Sequence, residues 1–256
     1  MLIFLPPSEG KTPPADNVDE PLDLRSLTMP ELADERRQVV DALIEASGRE
    51  DAQSVLKVGS RVLGEVEANQ HIWRAAAGPA HDIYTGVLFD ALEARTLTPP
   101  QLKRATEQVL IFSGPFGATS FTDRIPMFRC SMDVKLDPLG KLGSWWKKRL
   151  AEPLSARVGD QLVIDCRSSS YAQAFTSAPE QTLVVNSFTE RDGERKVVTH
   201  FAKHARGQLT GMLLRAEPQP QTIADVVSVA SEQWEVEVRP AEGRTPHQLN
   251  LITAED

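Results

Sequence analysis

Cysteine is nearly absent from this chain of 256 residues, with Cys130 and Cys166 the only two. Two thiols without CxxC spacing make no disulfide framework, and nothing in their usage points to an oxidising compartment. Long apolar runs are missing too. No stretch approaches the roughly 18 residues of a membrane-spanning helix. The start has four apolar residues after Met1 and no basic region, too little for a signal peptide. The expectation is a soluble cytoplasmic protein, monomeric and without a membrane partner. Metal signatures are lacking as well. His200 and His204 stand at i, i+4, but no carboxylate or cysteine accompanies them at ligand spacing and HExxH is absent. No metal and no cofactor are expected. The nucleophile-elbow pattern GxSxG is also missing, so Ser168-Ser169-Ser170-Tyr171 does not announce a serine hydrolase.

One further absence matters. Gly10-Lys11-Thr12 follows an apolar strand, yet the glycine that a phosphate loop needs five residues earlier is Leu5. Pro6 and Pro7 also remove two backbone donors, which excludes an ordinary P-loop. Ser8, Lys11 and Thr12 at the strand end remain candidates for a smaller anion site.

The charge that is present is unevenly placed. The chain carries −8 overall, residues 16–51 carry −7, and residues 216–256 carry −6. Residues 52–215 therefore carry +5, with 21 Lys/Arg against 16 Asp/Glu. Phe201–Arg215 and Gly140–Leu150 contain no acid at all, the latter holding Lys147 and Lys148. A basic surface framed by acidic segments holds an anion in one place and repels it elsewhere. A sequence pI of 5.3 is nonetheless low for a nucleic-acid binder.

Apolar patterning predicts one mixed α+β domain over residues 1–256. Strands are expected at Leu2–Leu5, Val109–Phe112, Leu162–Cys166, Leu183–Phe188, Lys196–Thr199 and Glu235–Val238. Helices are expected from Pro30 with Thr28 as cap, from Thr98, from Ser144 to Leu150, over Phe201–Arg215 and over Ile223–Ala230. Pro246–Asp256 reads as a flexible tail. Within Phe201–Arg215, helical spacing puts Phe201, Ala205, Leu209 and Met212 on the buried stripe. Lys203 and Arg206 then lie side by side off it, suited to two oxygens of a phosphate. The segment of about 50–76 reads as a helix-hairpin-helix-like element. Gly59 would make its turn and Lys57 and Arg61 would flank it, offering backbone N–H groups to DNA phosphates.

Several segments together resemble the YaaA family of peroxide-stress proteins. They are LIFLPPSEGKT (2–12), DIYTG (82–86), FSGPFG (112–117), PMFRCSMDVKL (126–136), VIDCRSSSYAQAF (163–175) and FAKHARG (201–207). The resemblance implies a fold peculiar to that family, a helix-hairpin-helix-like element, binding to double-stranded DNA and a role in limiting oxidative damage. Its motif positions fall on Ser8, Lys11, Asp82, Tyr84, Thr85, Gly86, Ser113, Gly114, Gly117, Arg129, Ser168, Tyr171, Lys203 and Arg206. The chain departs from the family pattern at Phe116, Ser131, Asp165 and Ser170, which weakens a shared acid–base role more than a shared anion-binding one.

Two readings follow. In the first, Lys57, Arg61, Arg129, Lys147, Lys148, Lys203 and Arg206 neutralise a DNA backbone without reading sequence. In the second, Lys11, Arg129, Lys203 and Arg206 line a pocket for a nucleotide or other phosphorylated small molecule, with Asp82 or Tyr84 near the reacting atom. A third, thiol-based peroxidase reading needs Cys130, beside Arg129, or Cys166 to be reactive. A concave pocket of small-molecule size separates the second reading from the open groove of the first.

Overall fold

Leu2–Leu5 (β1) is apolar at all four positions and is buried on both faces, as a central parallel strand requires. The computed structural model describes residues 1–15, 19–191 and 194–254. After β1 come three helices, Ala33–Ser47 (α1), Ala52–Val55 (α2) and Leu63–Ala68 (α3). Gly78–Pro79 (β2), Ala80–Ile83 (α4), Val87–Leu92 (α5) and Pro99–Gln108 (α6) follow, and then Val109–Ser113 (β3) and Gly117–Ser120 (β4). Short strands Arg124–Ile125 (β5), Lys135–Leu136 (β6) and Gly140–Lys141 (β7) lead into Leu142–Val158 (α7). Next are Val163–Asp165 (β8), Ser169–Ala172 (α8), Thr182–Arg191 (β9), Glu194–Lys196 (β10) and Thr199–Arg215 (α9). Ile223–Ala230 (α10), Glu235–Arg239 (β11) and His247–Ala254 (β12) complete the described chain.

The main sheet runs β11-β12-β9-β8-β1-β3-β4, with β10 paired to β9. Strands β12, β9, β8, β1 and β3 are parallel, and β11 and β4 close the two edges antiparallel. The chain passes from β1 to β3 on one side, and later to β8 and β9 on the other. The strand order therefore reverses between β1 and β8, the place where open α/β sheets carry their ligands beyond the carboxyl ends.

Local signals explain much of this. Thr98 and Gln101 form a capping box before α6, with Pro99 in its first turn. Thr222 caps α10 in the same way, through Asp225.

Several expectations need correction. The strand expected at Lys196–Thr199 is instead the end of β10 at Lys196 and the start of α9 at Thr199. The supposed tail is strand β12, paired on both sides; Leu249 and Leu251 are fully buried, each worth about 1.5–3 kcal/mol. Its polar positions are satisfied across the sheet, where Asn186 Nδ2 donates to Asn250 Oδ1 at 3.0 Å. Residues 255 and 256 lie outside the described residues. Thr28 does not cap α1: its N–H and hydroxyl go to Asp123, and Met29 precedes the first turn with φ 58°. Helix α7 extends beyond Leu150 to Val158, with Pro153 inside it. In the 50–76 segment, Gly59 is extended (φ −77°, ψ 160°), and the left-handed residue at the turn is Lys57 (φ 55°).

Helix α9 differs in its buried face. Ala202, Ala205, Leu209 and Leu213 point inward, whereas Phe201 is 48% exposed and Met212 only half-buried. The cause is close packing against α5. A Cβ on Gly207 would stand 1.9 Å from the Leu88 carbonyl oxygen, so only glycine permits that approach. No helix among the described residues is long and apolar enough to cross a membrane.

Candidate functional site

The loop after β1 is bound to the DIYTG segment. The Ser8 hydroxyl donates to the Thr85 carbonyl, Thr85 N–H donates to the Gly10 carbonyl at 3.2 Å, and Thr12 N–H donates to the Ile83 carbonyl at 2.9 Å. Gly86 ends the segment at φ 97° and opens α5, and a Cβ there would press on Ser8 Oγ at 3.2 Å. Opposite this loop, the chain leaving β8 supplies Ser168, Ser170 and Tyr171.

These segments enclose a cleft of about 570 Å³. Pro6 to Gly10 form one wall, Gly86 to Leu88 another, and Lys203 and Arg206 reach in from α9. Arg206 is oriented by its own backbone contacts, Nε and Nη2 donating to the Val185 carbonyl at 3.0 and 2.9 Å. Among the described residues, neither Lys203 nor Arg206 is ion-paired to a carboxylate. The family-motif positions Ser8, Gly86, Ser168 and Tyr171 thus meet the α9 pair in one place.

The other cations reach this region under restraint. Arg129 pairs with Glu9 Oε2 at 2.7 Å and Glu65 Oε2 at 3.3 Å, and donates to the Glu9 carbonyl. Lys57 is held by Asp133 at 2.9 Å, and Asp133 lines the cleft. Sequence reasoning missed these two carboxylates, Glu9 and Asp133, which temper the site's positive charge. Arg61, Lys147 and Lys148 are exposed and do not line the cleft.

Lys11 sits behind the loop. Its Nζ donates to the carbonyl of Ser8 at 2.7 Å and to that of Glu9 at 3.5 Å. It also lies 4.3 Å from the centre of the Phe128 ring and 5.5 Å from that of Tyr84. Burial pushes its ammonium down to about 8, and the Arg129 charge adds to that, while Glu9 and Glu65 oppose it. Tyr84 is buried between Phe89 and Phe128, and burial pushes its phenol well up. Ser113 counteracts that shift, yet neither Tyr84 Oη nor Ser113 Oγ makes a hydrogen bond of normal geometry.

Other expected residues fall elsewhere. Asp82 is exposed and lines a neighbouring cavity of about 330 Å³ with His81, Asp90, Glu93 and Arg95, not the cleft. Gly114 and Gly117 are structural: the Gly114 carbonyl accepts from Trp146 Nε1, and Gly117 (φ 73°) packs on the same indole. Cys130 is buried and its thiol is pushed up to about 12 by desolvation, against the neighbouring Lys11 charge. Cys166 is likewise pushed up to about 12. Both remain protonated thiols at neutral pH, which removes the support that Arg129 lent to a reactive Cys130. Among the described residues, no group of three or more His, Cys, Asp or Glu is arranged to hold a metal ion.

The switch point of this mixed α/β sheet lies beside a cleft lined by Lys203 and Arg206, neither of which is ion-paired among the described residues. Residues 1–239 match the family model described as peroxide stress protein YaaA, and the chain belongs to that family. A UPF0246 protein of Streptomyces coelicolor is 40% identical, covering 100% of this chain and 99% of that one. A UPF0246 protein of Corynebacterium efficiens is 38% identical over 90% of this chain and 91% of its own. One of Idiomarina loihiensis is 27% identical over 80% and 85%.

Proposed function

We propose that this protein serves the peroxide response by binding the phosphate of a nucleotide or related sugar phosphate in the β1/β8 cleft. The observation that supports this reading is the pairing of Lys203 and Arg206, free of carboxylate partners among the described residues, with the Ser8 and Ser168 loops in a concavity of small-molecule size. Two cations on one helix face suit the oxygens of one phosphate, and the serine hydroxyls suit a sugar. Glu9 and Asp133 limit how much negative charge the cleft accepts.

The test is a titration with a nucleoside monophosphate. Lys203→Ala should weaken binding about tenfold, equivalent to about 1.4 kcal/mol. Arg206→Ala should weaken it at least as much, and also lower stability because the Val185 carbonyl loses its donors. Binding indifferent to both substitutions would reject the reading.

Double-stranded DNA is a second reading, supported by Arg61, Lys147 and Lys148. All three are exposed, and none is ion-paired to a carboxylate among the described residues. A duplex bound through them would show affinity falling steeply with salt, and would be weakened by Lys147→Ala with Lys148→Ala. Equal duplex binding by that double variant would dismiss it.

A further inference from the structure

We infer that Asp133, at the far end of the cleft from Lys203 and Arg206, accepts hydrogen bonds from the vicinal hydroxyls of a ribose whose phosphate those two cations hold. This rests on the cleft being a phosphate site and names the group that recognises the rest of the ligand. Three observations carry it. Ser131 and Asp133 line the same cavity as Lys203 and Arg206, and Ser168 and Ser170 line it between them.

The two pairs also enter from opposite ends. Arg206 is fastened to the Val185 carbonyl on β9. Ser131 lies beyond β3, where a Cβ on Gly114, the residue after that strand, would stand 3.0 Å from the Ser131 carbonyl oxygen. The sheet order β9-β8-β1-β3 sets these anchors three strand spacings apart, about 14 Å. A ligand lying along the carboxyl edge therefore meets cations, then serines, then a carboxylate.

The third observation is that Asp133 keeps acceptor capacity although its charge is matched. Its Oδ2 accepts from Lys57 Nζ at 2.9 Å, and its Oδ1 accepts from the Ser131 hydroxyl. Lys57 itself does not line the cleft. A carboxylate offers about four lone-pair positions, so each oxygen retains one. The side chain is 52% exposed, which leaves both within reach. The Ser131 hydroxyl and then the Lys57 ammonium hold the carboxyl below the usual carboxylate range, which keeps it ionised at neutral pH.

These facts choose the ligand's chemistry. An ammonium group would gain little from a carboxylate that Lys57 already neutralises. A hydroxyl still gains, because a hydrogen bond to a charged acceptor is stronger than one between neutral groups. Adjacent hydroxyls on one sugar match the two open positions, and an acid beyond a parallel strand is a known reader of ribose. The ligand class is a ribose phosphate, either free or within a ribonucleotide.

The full chain is titrated calorimetrically with ribose 5-phosphate, adenosine 5′-monophosphate, the 2-deoxy counterpart of each, and inorganic phosphate. The sugar and nucleotide arms distinguish the two sources of ribose. At least one ribo compound should bind about fivefold or more tightly than its deoxy counterpart. Asp133→Asn should cut that preference to less than about twofold by weakening the ribo compound, and Asp133→Ala is the second variant. The comparison of ribo with deoxy uses the unaltered protein, so it decides whether or not a variant folds. Equal or tighter binding of the deoxy compounds, or a preference that survives both Asp133 variants, overturns the inference. The phosphate site then still stands if Lys203→Ala weakens inorganic phosphate. If no phosphate compound binds, or Lys203→Ala changes none of them, the phosphate reading itself fails and takes the inference with it.

Discussion

Gly207 lies so close to Leu88 that a Cβ placed on it would meet the Leu88 carbonyl oxygen at 1.9 Å. One turn on, Gly211 repeats the arrangement against the Leu92 carbonyl at 2.7 Å. The contact sets α9 against α5, and so brings Lys203 and Arg206 to the Gly86–Leu88 wall of the cleft.

Gly207→Ala should therefore destabilise the protein. In an open helix the change would gain about 1 kcal/mol. Here it forces backbone against backbone, and an overpacked core loses about 1–3 kcal/mol. Chemical denaturation measures the difference, and a stabilised variant would contradict the packing described.

Glu9→Gln should separate charge from stability. Glu9 sits on Arg129 at 2.7 Å and is itself exposed, so its loss should change stability by about 0–1 kcal/mol. Removing its negative charge from the cleft wall should raise phosphate affinity about two- to fivefold at low salt. Unchanged or weaker affinity in a calorimetric titration would count against Glu9 as a restraint.

Lys11 should titrate near pH 8, well below an ordinary lysine. The folded state gives up its proton first, so the cost of burying the charge is fully present below about 8. That cost fades as pH rises towards the unfolded value of 10.5, and stability from this group rises across the interval. The acylation rate of Lys11, followed by peptide mass, should show a midpoint near pH 8. A midpoint above 10 would contradict the desolvated setting.

The two thiols should behave as buried side chains. Desolvation keeps Cys130 and Cys166 protonated at neutral pH, so a disulfide reagent should modify them slowly until denaturant is added. The Cys130→Ser, Cys166→Ser double variant should keep its protection of cells against peroxide. Protection lost from a well-folded double variant would restore a thiol mechanism.

Much of the fold was legible because local chemistry agreed with tertiary packing. Leu2–Leu5 and Val109–Ser113 are uninterrupted apolar runs, which only a strand buried on both faces accommodates. Thr98-Pro99 and Thr222 cap their helices through contacts three residues long. The pair Lys203 and Arg206 could be placed on one helix face from spacing alone, and both line the cleft.

What the sequence by itself determined was this set of short-range facts: which segments bury, where helices begin, and which cations share a helix face. Only the tertiary structure decided which cations stay free, since Glu9 and Glu65 reach Arg129 from distant parts of the chain and Asp133 reaches Lys57. It also turned the half-polar HQLNLITA segment into β12, because Asn186 satisfies Asn250 across the sheet, and it rotated α9 to follow Gly207 and Gly211. The physical reason is the same in each case. Ion pairs, cross-strand amides and close helix approaches join residues far apart in the chain, and no local pattern records the distance between them.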